Sequence, residues 1–378
     1  MRVEPFALSL AEPLGTARGR MTERAGFVVA LDLDGVVGVG EAAPLPDWTE
    51  SLNACEAALT AVAAGIDEGR EPGTYLSRED GDESDGDALH GAPAARHAVA
   101  TAVLDAGARR AGEPLHERLT REYGTRSAAA VETVPVNATV GDGVPAETAE
   151  AAAEAVETGF GTVKLKIGAR DAESDSERVA AVRDRCPSAD LRADANGAWD
   201  GDTARRALAA FADDRVAYVE QPLPVDTTTD GEGQRHDLTA HASLRGGAVG
   251  IAPDESLAAG GEGLAPVHAA LDAGAADAVV LKPMALGGPD RAVAAATAAR
   301  QAGVTPVVTT TIDGALARAT AVHVAAAIPD VPACGLATGG RMAEDLLPTD
   351  PAPVASGAVR VPDGPGIAGG TRWHDPTS

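Results

Sequence analysis

From residue 133 onward, short β-type runs alternate with alanine-rich helical stretches, and the alternation repeats eight times. The β-type runs are "VPVNATV" (134–140), "TVKLKI" (162–167), "DLRADA" (190–195), "VAYVEQ" (216–221), "AVGIAPD" (248–254), "DAVVLKP" (277–283), "TPVVTT" (305–310) and "CGLAT" (334–338). Helical patterns between them include 145–158, 172–185, 202–212, 288–302 and 314–328. A strand followed by a crossover helix returns to its sheet as a parallel strand, and eight such units close into a ring. The pattern predicts an α/β fold, a (β/α)8-type barrel of modified TIM form over residues 131–345. An open doubly wound sheet is the rival, but no GxGxxG follows the first strand of any unit. "AAGGEG" (258–263) has glycines without a phosphate-loop lysine and reads as a loop.

The first 130 residues have a different rhythm and read as a separate α+β capping domain. Residues 1–41 alternate as strands, with Asp34-Gly35 as a hairpin turn. Helical stretches follow at 51–66 and 93–111, separated by "SREDGDESDGDALHG" (77–91), a solvated acidic loop. Residues 346–378 form a C-terminal segment expected to pack back on the cap.

Charge narrows the partners. There are 57 acids against 31 bases, a net charge of −26, on a chain that is 44% hydrophobic and periodic enough to fold. Nucleic acid and anionic membranes need a basic stripe, so neither is expected. An acidic, lysine-poor surface resembles proteins of salt-loving archaea, where concentrated salt shortens the Debye length to about 3 Å at 1 M. No apolar run approaches the roughly 20 residues of a membrane helix, and the N-terminus lacks a signal-peptide core. Cys55, Cys186 and Cys334 are odd in number and widely spaced, which suits buried thiols in a reduced, cytoplasmic compartment.

Of the 31 basic residues only three are lysine: Lys164, Lys166 and Lys282. In a barrel, chemistry collects at the C-terminal strand ends. There the sequence places Lys164 and Lys166 on strand two, Asp194 and Asn196 at the end of strand three, and Glu220 at the end of strand four. Asp254 ends strand five and Lys282 strand six. Strands two and six lie opposite each other in an eight-membered ring, so lysines flank a carboxylate cluster from both sides. Three converging carboxylates repel one another unless a divalent cation sits between them, and oxygen-only ligands favour Mg²⁺ or Mn²⁺. A metal on a substrate carboxylate stabilises the enediolate formed when the adjacent carbon loses a proton. An ordinary lysine, with a pKa of about 10.4, is a poor base for that proton. A nearby ammonium and metal would bring it toward roughly 7–8, whereas arginine keeps its proton. Lysine is thus retained where a deprotonatable amine is required. The plainer alternatives are surface lysines, and strand-end acids that cap the next helix.

"KLKIG", "RADANGAW", "VEQPLP", "IAPDESL" and "VVLKPMALGG" resemble the enolase superfamily, specifically its muconate-cycloisomerase-like branch. The lysine base paired with Mg²⁺ is known for this superfamily. The resemblance implies that Asp194, Glu220 and Asp254 ligate the metal, with Asn196 and Glu255 supporting them. It also implies Lys166 as general base, Lys164 as its assistant and Lys282 as the opposing lysine. Within the branch, "TARGRMTERAGFVV" (16–29), "GVGEAAPLPDWTES" (38–51) and "ACGLATGGRMAEDL" (333–346) look like o-succinylbenzoate synthases of menaquinone biosynthesis. Those enzymes take a small carboxylate substrate, remove its α-proton and expel a neighbouring hydroxyl. The first two segments would be cap loops closing over the substrate, with Arg18 and Arg20 in reach of a carboxylate or facing solvent. After strand seven, relatives carry a serine-rich run and a glutamate. Here "TTTIDGALAR" has threonines and Asp313. "CGLATGGR" lacks the Asp-x-Asp of dipeptide epimerases, and N-acylamino acid racemization is the alternative activity.

Overall fold

A computed structural model describes residues 1–16, 19–76, 88–124, 131–231, 233–259, 261 and 263–368. Arg18, residues 77–87 of the acidic stretch, the expected domain boundary at 125–130 and residues 369–378 lie outside the described residues.

In the cap, β1 (Arg2–Thr16), β2 (Gly19–Leu33) and β3 (Val36–Ala42) form an antiparallel sheet in that order. Asp34 and Gly35 make the β2–β3 turn with φ of 52° and 82°. Both are left-handed, which matches the twist of the flanking strands. Helix α1 (Leu52–Asp67) starts at Ser51, whose hydroxyl accepts from the Ala54 amide at 3.2 Å. Helix α2 (Pro93–Ala111) opens on a proline and ends at Gly112, φ 71°. It lies directly on β3: a Cβ on Gly40 would sit 2.1 Å from the Ala98 carbonyl oxygen. The alanines of α2 and the glycines of "GVGEA" are therefore two halves of one close contact. Helix α3 (Leu115–Tyr123), absent from the sequence reading, packs through buried Leu115 and Leu119.

The barrel begins with β4 (Thr133–Pro135) and β5 (Asn137–Val140), then α4 (Pro145–Glu157), β6 (Thr162–Lys166) and α5 (Ala172–Arg185). It continues through β7 (Asp190–Asp194), α6 (Gly201–Asp213), β8 (Val216–Glu220), α7 (His236–Leu244) and β9 (Gly250–Ala252). After α8 (Glu255–Ala258) and α9 (Ala265–Asp272) come β10 (Ala278–Leu281), α10 (Pro283–Leu286), α11 (Pro289–Gln301), β11 (Thr305–Val308) and α12 (Ala315–Ala326). Strands β5 to β9 form one parallel sheet, and β10 pairs in parallel with β11. The Asp277 and Val280 amides join the two, donating to Ile251 and Pro253 carbonyls at 2.8 and 3.2 Å.

Two expectations change here. "CGLAT" forms no strand; single parallel bridges, Thr309 to Gly335 and Val136 to Cys334, close the ring. "VPVNATV" divides, because β4 turns away to pair antiparallel with β13 (Ala358–Arg360), the second arm of a hairpin begun by β12 (Val354–Ala355). Beyond that hairpin the chain reaches the cap. The Gly366 amide donates to the Glu113 carbonyl at 3.0 Å, and the Ile367 amide to Asp105 Oδ1 at 2.8 Å.

Outward strand residues Val163, Leu165, Leu191, Val219 and Ile251 pack with Val179, Val182 and Phe211 of the helices. Full burial of each large aliphatic side chain stabilises by about 1.5–3 kcal/mol. Tyr218, Ala252, Ala278, Val280 and Val307 form a separate buried cluster, and the Arg192 guanidinium lies 5.1 Å from the Tyr218 ring centroid. All three cysteines are free and buried. Among the described residues no helix is long and apolar enough to cross a membrane.

Candidate active site

Strand register sets the site. Lys166 pairs with Asp194 on β7, Asp194 with Glu220 on β8, and Glu220 with Ala252 on β9. Asp254 follows two residues later, on the same side by strand alternation. Lys282 comes immediately after β10, two residues beyond Val280. In ring order β10 lies four strands from β6, so the two lysine-bearing strands stand opposite each other.

The side chains converge as the register requires. Lys164 Nζ donates to Asp194 Oδ2 at 3.0 Å and to both Glu220 oxygens at 3.0–3.1 Å. Lys166 Nζ donates to the same Asp194 oxygen at 2.6 Å and to Asn196 Oδ1 at 2.9 Å. Asn196, left-handed at φ 45°, passes the network on by donating Nδ2 to Glu255 Oε1 at 2.9 Å. Lys282 Nζ pairs with Asp254 Oδ1. The capping alternative is met elsewhere: Asp171 and Asp200 accept helix amides at the starts of α5 and α6. Asp254 precedes α8 but makes no side-chain capping bond.

Burial sets the electrostatics. Asp194, Glu220 and Asp254 are 0–3% exposed. Burial, reinforced by Asp194, pushes Glu220 up to about 8. Burial also raises Asp254 despite Lys282, and it raises Glu255. Burial would raise Asp194 too, but Lys164 and Lys166 hold it below the usual carboxylate range. Lys164 stays firmly charged beside these carboxylates. Burial disfavours its charge, but Asp194, Glu220 and Asp254 outweigh that and hold it well above the ordinary value.

Among the described residues, no group of three or more His, Cys, Asp or Glu side chains is gathered in metal-binding geometry. Instead, the lysine ammoniums take up the carboxylate oxygens. The donor set still fits a hard divalent cation: three buried carboxylates, oxygen donors all, at the ends of adjacent strands.

Two participants were missed in the sequence. Gln221 accepts on Oε1 from the Asp254 amide at 2.9 Å and donates Nε2 to Ser256 Oγ at 2.8 Å, fixing the loop that carries Asp254. Trp48 of the cap puts its ring 3.8 Å from Lys282 Nζ. A tryptophan in a chain with 3% aromatics, inside a proline-rich loop, was the available signal. Asp313 is not part of the cluster. It accepts from Thr311 and lies 3.9 Å from buried Arg24 at the cap–barrel junction. Arg20 is exposed on β2, in register with Gly15.

Comparison with known proteins identifies the family. Residues 2–119 match the N-terminal domain of mandelate racemase / muconate lactonizing enzymes, and residues 147–369 match the enolase C-terminal domain-like family. The o-succinylbenzoate synthase of Thermobifida fusca (strain YX) is 39% identical over 211 residues, 55% of this chain and 60% of that relative. The match therefore spans less than two thirds of that relative's length. The L-Ala-D/L-Glu epimerase of Escherichia coli K12 is 31% identical over 238 residues, 63% of this chain and 68% of that protein. The structure of a dipeptide epimerase from Methylococcus capsulatus, complexed with Mg and the dipeptide L-Arg-D-Lys, superposes with TM-score 0.78. Its identity is 28%, with 97% of this chain and 98% of that one covered. Both family models match, in the same order as cap and barrel, and the chain belongs to the enolase superfamily, in its muconate-cycloisomerase-like branch.

Proposed function

We propose that this chain is a hydro-lyase of the o-succinylbenzoate synthase type, acting in menaquinone biosynthesis in the cytoplasm of a salt-adapted cell. The observation that carries the chemistry is the pair of opposed lysines, Lys166 and Lys282, each hydrogen-bonded to a carboxylate of one strand-end cluster. The Thermobifida fusca relative supports the choice of reaction.

Asp194, Glu220 and Asp254 are the residues to hold Mg²⁺, or Mn²⁺ with the same preference for oxygen. When bound, the cation supplies positive charge to a substrate carboxylate as electron density moves onto it. Lys166 Nζ removes the proton on the carbon beside that carboxylate, and the electron pair moves toward the carboxylate. The hydroxyl on the next carbon then leaves with its bonding electrons, and the Lys166 ammonium returns the proton to it, releasing water. One residue serving both steps requires proton and hydroxyl on the same face, hence syn elimination. Lys282 faces the other side and contributes fixed charge. Lys164, bonded to Asp194 and Glu220, keeps a second ammonium beside Lys166.

The second reading is N-acylamino acid racemization, favoured by the presence of a lysine on each side. It requires both lysines to exchange protons. Turnover of purified protein with the cyclohexadiene carboxylate precursor should yield succinylbenzoate, while N-acylamino acids in D₂O should gain little α-deuterium. Rapid deuteration of both enantiomers, with negligible succinylbenzoate, would establish the racemase instead.

A further inference from the structure

The two working lysines differ in their surroundings. The Lys166 side chain is 38% exposed and bonds Asp194 and Asn196 at the open mouth. Lys282 is 8% exposed as a residue, pinned between Asp254 and the face of Trp48. A desolvated ammonium over an indole face is held by the ring quadrupole.

The placement of Trp48 is built from both ends. Buried Arg24 donates to the Ala43 and Pro44 carbonyls at 2.6 and 3.0 Å and ties them to the barrel by donating to the Ile312 carbonyl at 2.9 Å. On the far side, Glu50 accepts the Ala94 and Ala95 amides of α2 at 3.0 and 2.9 Å. Between these anchors the loop closes on itself. The Trp48 and Thr49 amides both donate to the Leu45 carbonyl at 2.9 Å, and the Leu45 amide donates to Thr49 Oγ1 at 2.7 Å. The loop that carries the indole is thus fixed to the cap and the barrel together.

We propose that Trp48 is a positioning residue for Lys282: its ring holds the ammonium in place over the cluster and screens it from solvent, leaving Lys166 as the solvent-connected lysine. The inference deepens the reading above, since it supplies a structural reason for proton transfer on one face only. Its first test, lysine labelling, needs no substrate, so its failure is distinguishable from a failure of the choice of reaction.

With three lysines in the chain, acetylation by an amine-selective reagent at one fixed pH, mapped by mass spectrometry, reads each site, with Lys166 as internal reference. In the full-length protein Lys282 should react about tenfold or more slowly than Lys166, the factor expected of a desolvated cation–π contact. Trp48→Ala should bring Lys282 within a few-fold of Lys166 without changing Lys166, and Trp48→Phe should keep the protection. If Trp48→Ala does not fold, Trp48→Leu supplies the same comparison, a flat apolar cover being replaced by one without a π-face. Equal reactivity of Lys282 and Lys166 in the native protein, or unchanged protection in the alanine or leucine variant, overturns the proposal. Kinetics separate the roles. A lowered kcat with KM nearly constant, restored by phenylalanine, supports positioning. A rise in KM alone makes Trp48 a substrate contact and overturns it.

Discussion

Two buried glutamates are pushed up to about 8, Glu41 at the cap–barrel junction and Glu220 at the strand ends. In both, burial is the leading cause and a nearby aspartate adds to it. Their partners differ. Glu41 accepts the Gly314 and Ala317 amides at 2.7 and 2.9 Å, capping α12 with a carboxylate from β3. The positive end of a helix satisfies it, and the result is a bolt between domains. The Glu220 carboxylate accepts from Lys164 and shares its surroundings with Asp194 and Asp254. A raised carboxyl therefore does not mark a reaction centre by itself. What distinguishes Glu220 is that its side-chain donor is the Lys164 ammonium, shared with Asp194, rather than fixed helix amides, so that a cation or substrate arriving there would change the whole cluster at once.

The sharpest way to break that contrast is at the strand ends. Lys166→Ala should lower kcat by about 10³-fold or more with the fold intact by circular dichroism, and Lys166→Arg should not restore it. Activity of the arginine variant near the native level would show that charge alone suffices at position 166. The glutamates themselves come next. Glu220→Gln should lose activity on that same scale and respond weakly to added Mg²⁺, while Glu41→Gln should stay within about tenfold of native.

Stability should separate them in the other direction. A carboxyl whose pKa rises on folding binds its proton more tightly in the folded state. Its contribution is full below the unfolded value of 4.5 and is lost as pH rises through about 8. The Glu41→Gln protein, neutral throughout, should therefore gain on the native protein across that window, by up to about 4 kcal/mol at pH 9. Parallel pH–stability curves for the two proteins would remove Glu41 from the argument. The smallest effect is the global one. With a net charge of −26, raising salt from about 0.1 to 3 M should lift Tm by about 5–10 °C through screening, and no shift would contradict the salt-adapted reading.

Legibility followed the range of the interactions. Helices α2 and α5 have the bounds that the sequence indicated, 93–111 and 172–185, because prolines, acidic caps and apolar period act within a few residues. Lys166, Asp194 and Glu220 could be aligned as strand ends because parallel strands of similar length bring their last inward residues to one level. Helix α3 was missed because its apolar stripe is only Leu115 and Leu119, and its packing surfaces come from α11 and α12. The eighth stave was over-read: Gly335 approaches Thr309 so closely that a Cβ would lie 2.4 Å from its hydroxyl, and pairing stops at single bridges. The role of Asp313, after β11, could not be read locally, because Arg24, 3.9 Å away, comes from a strand 289 residues earlier.

By itself the sequence determined the β/α alternation, the side of each strand that carries lysine or carboxylate, and the placement of the three lysines on or just after two opposed strands. Those properties reside in side-chain identity and in periods of two and 3.6 residues. Only the tertiary structure decided which lysine is covered and which is open, that Glu41 serves α12 rather than substrate, and that the C-terminal hairpin takes β4 from the barrel. Each of these joins segments far apart in the chain, and no local period records such a distance.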